Sequence, residues 1–227
     1  MKLLIDTANL EKITKAIELY PIVGVTTNPT LLAKEKVDDL FGHLKSIQSL
    51  IGPHRDLHVQ VIGTSFEAIL EDAHTITQHL GKTVYIKIPA TPQGLKAIRT
   101  LKNEGFKLTA TAIYSKLQAH LAVLSGADYI APYVNRMANL DIDPYESLNS
   151  MIQFILNEGS SSKIVAASFK NLAQVSEAID CGIDALTIDP DLLDDIFAFP
   201  SLSKAIQDFN GDFENVYEKG MTLSKLK

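Results

Sequence analysis

One lysine stands inside an otherwise apolar run, Thr83-Val84-Tyr85-Ile86-Lys87-Ile88-Pro89, which reads as a buried strand. A lysine in that setting either snorkels to the surface or sits in an apolar pocket that lowers its amine pKa from about 10.4. In the second case the neutral amine can attack a carbonyl and form a Schiff base. Other polar residues stand at the ends of similar short apolar runs: Asp6, Thr26 with Asn28, Gln60, Thr109 with Thr111, Tyr133 with Arg136, and Ser168. Together they describe a coherent chemistry. Asp6 can give and take the protons that form and collapse a carbinolamine. A water held by Gln60, Thr111 and Tyr133 can protonate the enamine left by carbon–carbon cleavage. Asn28 can bind a substrate hydroxyl or orient the lysine. Arg136 and Ser168 offer a fork of donors and a hydroxyl suited to a phosphate.

Taken singly, each of these residues also has an ordinary structural use. Asp6 and Ser168 are good loop caps, and Thr26-Thr27-Asn28-Pro29 is common turn chemistry. Gln60 and Thr111 can hydrogen-bond inside a barrel, Tyr133 can pack as an aromatic, and Arg136 can pair with Asp141. Their case therefore rests on the elements that must position them. Strands are expected at Leu3–Asp6, Ile22–Val25, Leu57–Ile62, Val84–Pro89, Lys107–Thr111, Tyr129–Tyr133, Lys163–Ala167 and Asp184–Ile188. Helical patterns alternate with them and carry start signals: a capping box at Thr64-x-x-Glu67, Thr91-Pro92, Asp143-Pro144, Asp189-Pro190, and N-caps at Ser115 and Asn171.

Such β-then-α units predict an α/β fold, a closed (β/α)8 TIM barrel, with its active site at the C-terminal ends of the strands. An open doubly wound sheet usually offers a Gly-rich phosphate turn, and neither GxGxxG nor GxxxxGK[ST] occurs. Residues 1–227 are expected to form one domain, with the barrel in 1–210 and a C-terminal helix and tail in 211–227. Phe213, Val216 and Tyr217 would share one helical face there, packing on the same barrel or on a neighbouring subunit.

Composition narrows the function classes. The 227 residues are 46% hydrophobic with a formal net charge of -6, enough chain for one barrel with a full core. No basic stripe is present to neutralise a nucleic-acid backbone, although a small phosphorylated ligand needs only one or two local cations. Cys181 is alone, so there is no disulfide framework and no CxxC metal site. The apolar run at Met1–Asp6 is too short for a signal peptide and no segment is long enough to span a membrane, so a cytoplasmic protein is expected. His54 and His58 are four apart, but Pro53 and the onset of the third strand argue against a shared helical face, so neither a metal nor another cofactor is expected. Lys170 is the rival Schiff-base residue, placed in a polar turn where it should be solvated.

Five motifs in one order resemble the transaldolase family: Leu4-Ile5-Asp6-Thr7-Ala8-Asn9, Gly24-Val25-Thr26-Thr27-Asn28-Pro29, Tyr85-Ile86-Lys87-Ile88-Pro89, Ala131-Pro132-Tyr133-Val134-Asn135-Arg136 and Ala166-Ala167-Ser168-Phe169-Lys170. The likeness runs from Met1 to about Asp212 and is strongest to the small-subunit branch, which holds fructose-6-phosphate aldolase and short transaldolases. It implies a class I aldolase on an (α/β)8 barrel, with the Schiff-base lysine at Lys87, the acid/base aspartate at Asp6, and the family's asparagine at Asn28. Its phosphate-binding arginine and serine fall on Arg136 and Ser168. Gln60 and Tyr133 match the aldolase branch, where transaldolases carry glutamate and phenylalanine. The resemblance thus implies reversible cleavage of fructose 6-phosphate to dihydroxyacetone and glyceraldehyde 3-phosphate by a homo-oligomer, pentameric or decameric.

Two departures bear on substrate choice. Thr109 replaces an expected leucine in the pocket wall, and Asp189 in Thr187-Ile188-Asp189-Pro190 replaces a more apolar turn. Three other readings stay open from sequence: a transaldolase passing the same dihydroxyacetone unit to an acceptor, a sugar-phosphate isomerase or epimerase, and a non-catalytic sugar-phosphate-binding barrel.

Overall fold

The computed structural model describes residues 1–226. Among these, eight short parallel strands pair in chain order and close on themselves: β1 (Lys2–Asp6), β2 (Gly24–Thr26), β3 (Asp56–Gln60), β4 (Tyr85–Pro89), β5 (Lys107–Ile113), β6 (Tyr129–Pro132), β7 (Lys163–Ala166) and β8 (Ala185–Ile188). Each lies within two residues of its expected start and end. Closure of β8 onto β1, with Ile5 opposite Ile188, makes the sheet a (β/α)8 barrel.

The helices that cover it are α1 (Leu10–Leu19), α2 (Pro29–Glu35), α3 (Leu40–Ile51), α4 (Phe66–Leu80), α5 (Pro92–Asn103), α6 (Lys116–Leu124), α7 (Val134–Ala138), α8 (Pro144–Asn157) and α9 (Leu172–Asp180), and α10 (Pro190–Asp194) follows β8 in the chain. Two of them are additions to the simple alternation. Short α2 and α7 follow β2 and β6 directly, so they sit at the strand ends where a barrel keeps its chemistry.

Strand alternation sorts the side chains. Ile5, Val25, Ile86, Ile88, Leu108 and Ile130 are fully buried, as are Ile13, Leu44, Ile69 and Ile98 of the helices. Burying each such side chain is worth about 1.5–3 kcal/mol, so this apolar layer between sheet and helices carries the fold. Leu4, Tyr129, Ala131, Val165 and Ala185 form a separate buried cluster, with Val23 and Tyr85 packed against it.

The expected helix starts hold at Thr91, Ser115, Asp143 and Asn171, whose side chains accept from the amides of Gly94, Gln118, Tyr145 and Gln174. The first of the expected caps shifts by one residue. Ser65, not Thr64, caps α4 by accepting from Ala68 N, since the residue three before the bonded amide must carry the hydroxyl. Gly94 is required by close approach: a Cβ there would collide with the Pro89 carbonyl at the end of β4.

The chain divides into two units, Met1–Pro190 with the barrel and a smaller one from Asp191 onward. The smaller unit corrects an expectation about the C-terminal helix. That helix, α11, runs over Pro200–Glu214, because Pro200 supplies the first-turn start signal well before Asp212. Val216 and Tyr217 follow its end, and the Tyr217 ring stacks on Phe213 at 4.5 Å. Its apolar stripe is instead Leu202, Ile206 and Phe209, all exposed.

Candidate active site

At the C-terminal ends of the strands lies a cavity of about 620 Å³. Asp6 from β1, Asn28 after β2, Gln60 from β3, Lys87 from β4, Tyr133 after β6 and Ser168 after β7 all line it, so six of the residues expected from sequence converge there. Arg136, on α7, lines it as well. The registers explain the convergence: Asp6 lies opposite Thr26, and Gln60 opposite Lys87, so their side chains leave adjacent strands on the same face.

Lys87 is only 5% exposed. Its Nζ donates to the Thr27 carbonyl at 2.9 Å. Burial pushes the amine pKa down, and the Asp6 carboxylate offsets this only in part. A neutral amine that gives one N–H to Thr27 still presents its lone pair. Asp6 is held in turn. Thr26 Oγ1 donates to Asp6 Oδ1 at 2.6 Å, which spends its single proton, so Thr187 must donate to Thr26 across their 2.8 Å contact.

Opposite these residues, Thr111 Oγ1 and the Tyr133 hydroxyl are 3.0 Å apart. Burial raises the Tyr133 phenol pKa, and the Thr111 bond offsets it in part, so the ring stays a neutral donor. Gln60 Oε1 is buried with no hydrogen-bond partner among the described residues. Gln60 lines the cavity, so this acceptor is available to a water or a substrate hydroxyl. A bulge in β5 between Ala110 and Ile113 puts Ala112 in the left-handed region at φ 56° and lets it line the cavity beside Thr111.

The rim is cationic on one side. Arg136 Nη1 donates to the Tyr114 hydroxyl at 3.0 Å, and the guanidinium lies 5.0 Å from the centre of the Tyr133 ring. Arg136 is therefore held by two phenols. Ser168 adopts φ 64°, a conformation costing a non-glycine residue about 1–2 kcal/mol, and its carbonyl accepts from Asn135 N at 2.9 Å. Lys34 on α2 and Lys170 also line the cavity. Lys170 is exposed, as its polar turn suggests. Asp189 stands on the same lining.

This barrel geometry agrees with two kinds of similarity. The sequence model of the family described as Transaldolase/Fructose-6-phosphate aldolase matches residues 3–226. The chain belongs to the transaldolase/fructose-6-phosphate aldolase family. It is 46% identical to a probable fructose-6-phosphate aldolase of Streptococcus pneumoniae over 213 residues, covering 94% of this chain and 96% of that protein. It is 34% identical to a probable transaldolase of Kosmotoga olearia over 223 residues, covering 98% and 100% respectively.

Three expected site residues of this aldolase-family chain lie behind the cavity lining. Thr26 and Thr111 are buried and reach the cavity through Asp6 and Tyr133. Thr109, expected in the pocket wall, is 1% exposed and lies one layer down, where its hydroxyl meets His58 Nδ1 at 2.9 Å. The bulge lies beyond Thr109, so the strand gives no kink that would lift it into the opening. Residues the sequence reading missed are Lys34, Tyr114, Asn135 and Thr187. Tyr114 and Asn135 were legible as neighbours of Thr111 and Arg136, but Lys34 depended on α2 folding over the strand ends. Among the described residues no three His, Cys, Asp or Glu side chains gather to hold a metal ion, and no helix is long and apolar enough to cross a membrane.

Proposed function

We propose that this protein is a class I aldolase that reversibly cleaves fructose 6-phosphate to dihydroxyacetone and glyceraldehyde 3-phosphate, through a Schiff base on Lys87. The observation that carries the reading is a buried, weakly basic lysine amine in the same cavity as Asp6, Gln60 and Tyr133. Thr26, backed by Thr187, holds one carboxylate oxygen of Asp6 in place, leaving the other oxygen to exchange protons with the carbinolamine.

The Lys87 amine adds to the C2 carbonyl of the open-chain ketose, and loss of water, protonated from Asp6, leaves an iminium. The C3–C4 electron pair then flows into it as the C4 hydroxyl gives its proton to a bound water, releasing glyceraldehyde 3-phosphate and leaving an enamine. A water fixed by Gln60 Oε1, Thr111 and Tyr133 returns a proton to C3, and hydrolysis frees dihydroxyacetone and Lys87. Arg136, Ser168 and the neighbouring Lys34 and Lys170 suit the phosphate at the far end of the substrate. Asn28 spends its Oδ1 on the Leu31 amide, which leaves its amide N–H groups for a substrate hydroxyl.

Gln60 and Tyr133 favour release over transfer, since an amide and a phenol hold a water differently from a carboxylate beside a phenyl ring. The protein is further read as cytoplasmic and as a homo-oligomer, pentameric or decameric; the exposed stripe Leu202, Ile206 and Phe209 supports self-association. The test of the reaction is product analysis with fructose 6-phosphate, with and without erythrose 4-phosphate. Free dihydroxyacetone should dominate in both cases. Predominant transfer to erythrose 4-phosphate would make the protein a transaldolase instead.

A further inference from the structure

The reaction leaves one buried titratable group unused. His58 is completely buried on β3, two residues before Gln60 and therefore on the same inward face. Its ring stacks on Tyr85 at 4.5 Å and meets Tyr129 edge-on at 5.5 Å. Its Nδ1 lies 2.9 Å from Thr109 Oγ1, while its Nε2 is buried with no partner among the described residues.

The strand registers give this pair its meaning. Gln60 is opposite Lys87, and Lys87 is opposite Thr109, so the His58–Thr109 bond joins β3 to β5 across the strand that carries the lysine. The bond passes on the β4 side occupied by Lys87 and one layer nearer the strand starts, where His58 is opposite Tyr85. A second connection runs through Thr27, just after β2. Thr27 donates both its amide, at 3.0 Å, and its hydroxyl, at 3.1 Å, to the His58 carbonyl. The Thr27 carbonyl in turn accepts the Lys87 Nζ. His58 is thus tied by its ring to the strand neighbour of Lys87 and by its backbone to the amine's own acceptor.

We infer that His58 and Thr109 act as positioning residues that seat Lys87 for attack, an inference that rests on the proposed Schiff-base reaction. Their pairing also accounts for the threonine at 109. A leucine there would leave the imidazole without its side-chain hydrogen-bond partner among the described residues, and a buried unpaired polar group is costly. The imidazole stays neutral, because burial first, and then Lys87 whenever its amine is protonated, keep its pKa well below the ordinary histidine value. Lys2 and Lys107 act on it in the same direction, and the phenols of Tyr85 and Tyr129 complete its surroundings. Asp6 is the charged group that acts on Lys87 from β1. A neutral polar seat holds the lysine without adding a second cation beneath it.

The test compares His58→Phe, which keeps the aromatic stack, Thr109→Val, which keeps the shape, and the double variant. Three readouts are needed: the rate of borohydride trapping with dihydroxyacetone, the acid limb of the kcat/KM profile, and the melting temperature. Each single variant should trap about tenfold to a hundredfold more slowly, the loss expected of a misplaced reacting group. Each should also move the acid limb to lower pH, since a less polar seat disfavours the charged amine further. The double variant should regain thermal stability, both partners being apolar, yet remain slow. Single variants that melt lower but keep the wild-type trapping rate and acid limb would overturn the inference, as would a double variant that recovers rate together with stability. Absence of a Lys87 adduct in the wild-type protein would instead overturn the reaction on which it rests.

Discussion

Lys87 combines a cationic side chain with a site that disfavours the cation, and that conflict gives the amine its use. Its folded pKa lies below the ordinary 10.5 because burial penalises the charge. Between the two values the unfolded chain binds a proton that the native protein does not, so stability rises with pH across that window. Lys87→Met should therefore abolish adduct formation and cleavage while melting at or above the wild-type temperature near neutral pH, and should flatten that pH slope. Calorimetry over pH checks both; a strong loss of stability would mean that the bond to Thr27 outweighs the cost of burial. At the rim, Arg136→Ala and Ser168→Ala should raise KM for fructose 6-phosphate about 10- to 100-fold, the worth of one charge-assisted hydrogen bond. Steady-state kinetics should show trapping of unphosphorylated dihydroxyacetone little changed in Ser168→Ala. Gln60→Glu with Tyr133→Phe should shift product from free dihydroxyacetone towards transfer, read by chromatography with erythrose 4-phosphate present.

At the scale of elements, the join between β4 and α5 is the tightest control on the lysine. Gly94→Ala improves helix propensity, but the added Cβ meets the Pro89 carbonyl, and overpacking of that kind costs about 1–3 kcal/mol. Denaturant melts should show the loss, with activity falling in step because Lys87 lies two residues before Pro89. Much of this level was legible in the sequence. Short apolar runs located all eight strands, and hydroxyl or carboxylate caps before proline located several helix starts. What escaped depends on the third dimension. The His58–Thr109 contact skips a strand, and only the stagger of the closed barrel brings those two side chains together. The φ 64° of Ser168 after β7 and the bulge at Ala112 within β5 are local backbone conformations that neither residue type announces. The stripe Phe213, Val216 and Tyr217 points to a helix starting near Asp212, but Pro200 starts α11 well before it.

Across the whole molecule, barrel closure gathers into one cavity residues that are as far apart in sequence as Asp6 and Asp189. The smaller unit has a different part. In α11 no residue is buried, and Leu202, Ile206 and Phe209 recur at the spacing of one helical face. The proposed homo-oligomer predicts that Ile206→Glu with Phe209→Glu lowers the assembly state in sedimentation analysis; unchanged sedimentation would remove α11 from the interface. The central claim, however, concerns a single covalent bond. Borohydride reduction in the presence of dihydroxyacetone, followed by peptide mass mapping, tests it most directly. The account predicts one reduced three-carbon adduct, on the peptide containing Lys87 and lost in Lys87→Met; an adduct on Lys170, or none in the active protein, would contradict it.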